Sequence, residues 1–199
     1  YLVDAAQTGG CLETDAEKIG ADFLVFSGHK GLMGPLGTGG VYVKNQQTLE
    51  PVITGGTGSR SESLVQPDFM PDMLQSGTVN TPALKALAAG VRYIRRRGVE
   101  EISEKEAYLA HKMEENLLNM GGIIVYGRER RIGTTAFNIA GKASADTAQL
   151  LSGEIAVRAG YHCAPLAHRA LGTEKIGAVR ISFGAFNGIK DVEKASDAI

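Results

Sequence analysis

An α/β fold is what this sequence predicts, and three observations carry it. Apolar runs of strand length alternate with stretches whose apolar residues recur at helical spacing. The 26 glycines among 199 residues gather at turns between those runs rather than in a repeat. The apolar and charged fractions, 43% and 22%, are those of a globular chain able to bury a substantial core. A net charge of −1 provides no field that would draw the chain to nucleic acid or to a membrane surface. Two cysteines, Cys11 and Cys163, are too few for a disulfide framework, and nothing reads as a signal peptide or a spanning helix. A reducing, cytoplasmic setting is the default expectation.

Taken in order, Tyr1-Leu2-Val3-Asp4 is a short strand ending in an acid, followed by the loop Ala5-Ala6-Gln7-Thr8-Gly9-Gly10. Thr14-Asp15-Ala16-Glu17-Lys18 reads as a short capped helix leading into a strand at 22–26. The connection through Gly31, Gly34, Pro35 and Gly37 to a strand at 40–44 is too short for a crossover, so that strand is expected to run antiparallel. Residues 51–75 lack clear periodicity and form a long loop with Gly55-Gly56-Thr57-Gly58-Ser59, a functional or interface candidate. Ser76-Gly77-Thr78-Val79-Asn80-Thr81-Pro82 introduces a helix with Leu84, Leu87, Ala88, Val91 and Ile94 on its apolar stripe. Its basic end, Arg95-Arg96-Arg97, fits the helix dipole and a solvated face.

Beyond Gly98 a second helix, about 101–119, carries Ile102, Leu109, Met113 and Leu117 on one stripe. Strands are expected at 122–126 and 134–139, a helix near Asp146, and a loop at 157–165 that includes Cys163. Ala178-Val179-Arg180-Ile181-Ser182-Phe183 alternates, turning Arg180 away from Val179 and Ile181. The second half is thus an α+β layer. The chain opens inside an apolar strand without a methionine and closes in an amphipathic helix without a capping glycine, which reads as a fragment.

The chemistry-bearing residues begin with Ser27-Gly28-His29-Lys30, where an apolar strand stops at a lysine. A lysine at the end of a buried strand is costly unless its amine is neutral or bonded. A neutral lysine amine can form a Schiff base with a carbonyl, including the aldehyde of pyridoxal phosphate. A solvated lysine in a turn is the plainer reading of that segment alone. Asp4 and Gln7 follow a strand end, where ligands of open α/β sheets bind, although capping a turn explains Asp4 equally well. A hydroxyl and free amides at the helix start near Thr78 suit a phosphate, and helix capping by Thr78 or Thr81 is the alternative. Cys11 has no such context, His111 lies within a helix, and His168 stays undecided.

Four segments together, Val3-Asp4-Ala5-Ala6-Gln7, Ser27-Gly28-His29-Lys30, Ser76-Gly77-Thr78-Val79-Asn80 and Arg158-Ala159-Gly160-Tyr161-His162-Cys163-Ala164-Pro165, with Val179-Arg180-Ile181-Ser182 beyond, resemble the class V aminotransferase superfamily. Within it they are most similar to the cysteine desulfurase and selenocysteine lyase branch with a short catalytic loop. The resemblance implies the C-terminal part of a large domain of a pyridoxal phosphate-dependent transferase, a mostly parallel sheet with an antiparallel strand, over 1–98. It implies a small α+β C-terminal domain over 99–199, with its end truncated. The family's chains are longer, and their N-terminal half supplies the histidine that stacks on the cofactor ring.

The same resemblance implies roles at matching positions. Lys30 would hold pyridoxal 5'-phosphate as a Schiff base, Asp4 would pair with the pyridine nitrogen and Gln7 would bond the phenolic oxygen. Ser27 and His29 would hold the phosphate, and Thr78 would reach the phosphate in the partner subunit of a homodimer. Arg180, with Arg158, would bind the substrate, Arg180 clamping its carboxylate. Cys163 would take sulfur from L-cysteine as a persulfide, with His162 or Arg158 as the neighbour that favours its thiolate. No metal is implied. A sulfur-acceptor protein and iron–sulfur cluster assembly would follow. Two readings compete: a related aminotransferase, epimerase or lyase with Cys163 incidental, and a catalytically inactive fragment that dimerises or binds an acceptor.

Overall fold

A parallel pair of strands organises the first part of the chain in the computed structural model, which describes residues 1–45, 49–127 and 132–199. β1 (Leu2–Asp4) runs parallel to β2 (Phe23–Ser27), with Asp4 opposite Val25. Parallel pairing requires a crossover, and the crossover carries the short helix α1 (Ala16–Ile19). Asp15 caps it, accepting from the amides of Glu17 and Lys18 at 2.9 and 3.1 Å. β3 (Gly39–Val43) returns antiparallel to β2, as its short connection requires, and completes the order β1-β2-β3.

Close backbone approach explains the glycines of the 28–38 connection. A Cβ on Gly28 would lie 2.2 Å from the Thr38 hydroxyl oxygen, and the Gly28 amide donates to the Thr38 carbonyl at 2.8 Å. The connection then rests on α2 (Thr81–Arg97), whose buried face presents Leu87 and Ile94. Gly90 lets the two meet: a Cβ there would lie 2.4 Å from the Leu32 carbonyl oxygen. Glycine in a helix interior is less stable than alanine by about 1 kcal/mol, so this position gives up propensity for contact. A small core of Ala5, Ala21 and Leu24 lies under this sheet.

The chain divides into two compact units, Tyr1–Val99 and Glu100–Ile199. The second is built on α3 (Val99–Leu118) and an antiparallel sheet of order β4-β5-β7-β6: β4 (Ile123–Tyr126), β5 (Thr134–Ile139), β7 (Ala178–Ser182) and β6 (Arg158–Gly160). α4 (Ser144–Leu151), α5 (Pro165–Ala170) and α6 (Ile189–Ala198) complete the unit. Leu109, Met113 and Leu117 of α3 pack with Phe137, Val179 and Ile181 of the sheet and Val192 of α6. Each large apolar side chain buried there contributes about 2 kcal/mol. Alternation turns the opposite sheet face, with Tyr126, Ala136, Arg158 and Arg180, away from this core.

Two expectations give way here. Residues 157–165 are not one loop: Arg158–Gly160 is an edge strand paired with β7, and Pro165 opens α5. A three-residue strand is too short to show a period, and its pairing comes from residues distant in the chain. The second helix begins at Val99, earlier than its apolar stripe suggests. Among the described residues, no helix is long and apolar enough to cross a membrane.

Candidate active site

In the first unit, the parallel strands bring two connections out at the same sheet end, 5–11 after β1 and 28–34 after β2. They touch through backbone. A Cβ on Gly31 would lie 2.5 Å from the Gly9 carbonyl oxygen and 2.6 Å from the Cys11 sulfur, and one on Gly10 would lie 2.4 Å from the Gly31 carbonyl. Asp4, the last residue of β1, and Lys30 therefore flank a packed glycine seam shared by the two connections. Asp4 is exposed and its Oδ1 accepts from the Ala6 amide at 2.8 Å, so it caps a turn while keeping a second oxygen without a hydrogen bond among the described residues. Gln7 is exposed beside it.

Ser27 Oγ and His29 Nδ1 share a hydrogen bond of 3.1 Å, which ties the imidazole to the last residue of β2. Lys30 is exposed, and its carbonyl accepts from the Met33 amide at 2.9 Å. The burial argument for this lysine fails: it lies past the strand end, in a turn, and pays no desolvation in this chain. Thr78 is exposed and caps nothing. The cap of α2 is Asn80, accepting from the Ala83 amide at 3.2 Å, which leaves the Thr78 hydroxyl without a side-chain partner among the described residues. The Gly55–Ser59 loop is tied to later segments, the Gly55 amide donating to Gln66 Oε1 at 3.2 Å and the Gly56 carbonyl accepting from the Gly77 amide at 2.7 Å.

In the second unit, one transverse row crosses the sheet: Tyr126 opposite Ala136, Ala136 opposite Arg180, Arg180 opposite Arg158. Opposed residues of antiparallel strands share a face. The two guanidinium groups are thus neighbours, and no carboxylate among the described residues pairs with either. Arg180 Nε is buried without a hydrogen-bond partner. An open cleft of about 230 Å³ reaches Arg180 between Tyr126 and Leu171. A planar anion such as a carboxylate would satisfy the orphaned donor.

Cys163 is exposed on the segment between β6 and α5, with φ of 61°. His162 precedes it and its Nε2–H donates to the Ala178 carbonyl at 3.1 Å. Burial, then the Arg180 guanidinium, pushes the His162 imidazole below its ordinary value, so it is neutral at neutral pH. A neutral imidazole adds no positive charge beside Cys163. His168, undecided from sequence, is buried, with Nδ1 and Thr173 Oγ1 2.8 Å apart. His111 is exposed and pairs with Glu115 at 3.1 Å.

The sequence pattern described as Aminotransferase class-V matches residues 1–195. The chain belongs to the class V aminotransferase family. Among relatives of this family, a probable cysteine desulfurase of Methanothermobacter thermautotrophicus is 35% identical over 209 residues, covering 100% of this chain and 52% of its own length. One from Pyrococcus abyssi is 37% identical, covering 97% of this chain and 49% of its own. An apo structure of cysteine desulfurase from Thermococcus onnurineus superposes with a TM-score of 0.88 at 36% identity, over 98% of this chain and 50% of that one. The Escherichia coli cysteine desulfurase CsdA, solved as an S-sulfonic acid, gives 0.85 at 29%, over 99% and 50%. The chain spans about half the length of the curated relatives it matches.

Enzymes of the class V aminotransferase family depend on pyridoxal 5'-phosphate. The donor set fits that group. A primary amine (Lys30), a carboxylate (Asp4), a carboxamide (Gln7) and a hydroxyl bonded to an imidazole (Ser27, His29) are gathered at one end of two parallel strands and on the touching connections that leave them.

Proposed function

We propose that this chain is part of a pyridoxal 5'-phosphate-dependent cysteine desulfurase, which converts L-cysteine to L-alanine and leaves the sulfur on Cys163 as a persulfide. In this reading residues 1–98 are the C-terminal portion of the cofactor-binding domain, and 99–199 are the small domain. The observation that carries it is the placement of Cys163: an exposed thiol on a segment tied to β7, the strand that bears Arg180 and its unpartnered Nε.

Lys30 would hold the cofactor's aldehyde carbon, Asp4 its pyridine nitrogen, Gln7 its phenolic oxygen, and Ser27 and His29 its phosphate. Thr78, with a hydroxyl free of helix capping, would reach the phosphate across a homodimer. When bound, the cofactor supplies an electron sink for charge developing at the substrate's α-carbon. Arg180 takes the substrate carboxylate in a bidentate contact, with Arg158 beside it. Lys30, with its amine free, would take the α-proton as general base. The Cys163 thiolate would attack the thiol sulfur of L-cysteine; the sulfur–sulfur bond forms as the β-carbon–sulfur bond breaks with its electron pair left on the β-carbon, and a proton taken up there together with return of the α-proton from Lys30 yields alanine. A sulfur-acceptor protein in the cytoplasm then collects the persulfide sulfur for iron–sulfur cluster assembly.

Cys163→Ala in the full-length protein tests this. Persulfide and alanine formation from L-cysteine are expected to vanish, while the Lys30-dependent absorbance at about 420 nm persists. Continued sulfur release by that variant would instead favour an aminotransferase, epimerase or lyase with Cys163 incidental.

A further inference from the structure

The segment that carries Cys163 has an unusual backbone. Gly160, His162 and Cys163 all have positive φ, at 105°, 51° and 61°. Glycine adopts that region freely, histidine sometimes, and cysteine rarely, so surrounding contacts must hold it. The contacts are present on both sides. The Ala164 amide closes the turn onto the Tyr161 carbonyl at 2.9 Å, and the Tyr161 hydroxyl donates to the Glu174 carbonyl. The His162 Nε2–H donates to the Ala178 carbonyl at 3.1 Å. Behind them the buried His168 ring meets Tyr161 edge-on at 5.3 Å and lies 5.8 Å from His162, tilted.

We propose that His162 is a positioning residue: its side-chain hydrogen bond to the Ala178 carbonyl holds residues 160–164 on β7 in the left-handed conformation that presents the Cys163 thiol. Ala178 and Arg180 are alternate residues of β7. The bond therefore ties the nucleophile's backbone to the strand that carries the carboxylate-binding arginine. A carbonyl can only accept, so Nε2 bears the proton and Nδ1 of the neutral ring is an acceptor. His162 acts through the placement of its neighbour, with no charge or proton delivered to sulfur. The kinetic consequence rests on the desulfurase reading; the conformational one does not.

Two variants of the intact, cofactor-loaded protein separate the bond from the backbone preference. Asparagine accepts positive φ more readily than most residues but is too short to reach Ala178. Glutamine strains the backbone more, yet its amide nitrogen reaches about as far as Nε2. With His162→Asn, exchange of the Ala164 amide is expected to be about tenfold faster. Single-turnover persulfide formation is expected to be about tenfold slower, with KM for L-cysteine within about twofold of wild type. With His162→Gln both rates are expected to stay within about threefold of wild type. Wild-type exchange and turnover in the asparagine variant would overturn the proposal, as would equal impairment of both variants. A wild-type protein that forms no persulfide on Cys163 would sink the proposed function alone, and the amide-exchange comparison would still decide the role of His162.

Discussion

Arg158 and Arg180 lie directly opposite each other in the β6–β7 pair, on the sheet face turned away from the core. Opposed like charges destabilise a strand pair, and the sheet retains the pair with the Arg180 Nε unsatisfied. A site that is unfavourable when empty is favourable to a planar anion. Arg180→Lys keeps the charge but loses the fork. Its kcat/KM for L-cysteine is expected to fall by about tenfold or more, chiefly in KM, because in the proposed role the lost contact would be made to the substrate carboxylate before reaction. An unchanged KM in steady-state assays would remove Arg180 from that role.

Gly90 poses a sharper packing question. Alanine is the better helix former by about 1 kcal/mol, so propensity alone favours Gly90→Ala. The added Cβ, however, would lie 2.4 Å from the Leu32 carbonyl oxygen, a backbone atom that cannot rotate aside. Overpacking of this kind destabilises by about 1–3 kcal/mol. Urea unfolding of the full-length variant is expected to show a net loss; a gain in stability would mean that α2 does not press on the 28–34 connection.

Gly31 tests the seam beside Lys30. Gly31→Ala would drive its Cβ against both the Gly9 carbonyl oxygen and the Cys11 sulfur. The thiol can move and the carbonyl cannot, so Cys11→Ala is not expected to rescue it. Displacement of the two connections separates Asp4 from Lys30, and affinity for pyridoxal 5'-phosphate is expected to drop about tenfold or more in an absorbance titration. Wild-type affinity would show that the seam does not set the geometry of the amine and the carboxylate.

Much of this arrangement is legible in the residues themselves. The apolar run ending at Ser27 and the glycine-rich return to Gly39 are local signals, and an antiparallel strand is the sole product of so short a connection. The alternation around Arg180 is equally local, with Val179 and Ile181 buried and Arg180 half-buried. Other features depend on partners far along the chain. β6 exists because β7 pairs with it, and the Tyr161–His168–Thr173 cluster exists because the connection after β6, α5 and the turn after α5 converge. Thr78 and Asn80 compete for one cap, and only geometry shows that Asn80 takes it. Lys30 is exposed for a related reason: the length of the turn after β2, not the apolarity of the strand, sets its environment.

Acid stability offers a further check on His162. Burial, then the Arg180 guanidinium, lowers its folded-state value, while the Ala178 carbonyl opposes them. In the unfolded chain the ring titrates near its ordinary value of 6.5. Between the lowered folded value and 6.5 the unfolded state binds more protons, so stability rises with pH across that window. The contribution is full above about pH 6.5 and is lost as pH falls through the folded-state value. His162→Gln removes the titration and keeps the reach to Ala178. On acidification from neutral pH, the wild type is therefore expected to lose more thermal stability than His162→Gln, in parallel scans at several pH values. Identical acid limbs would mean that the ring is not held neutral beside Arg180.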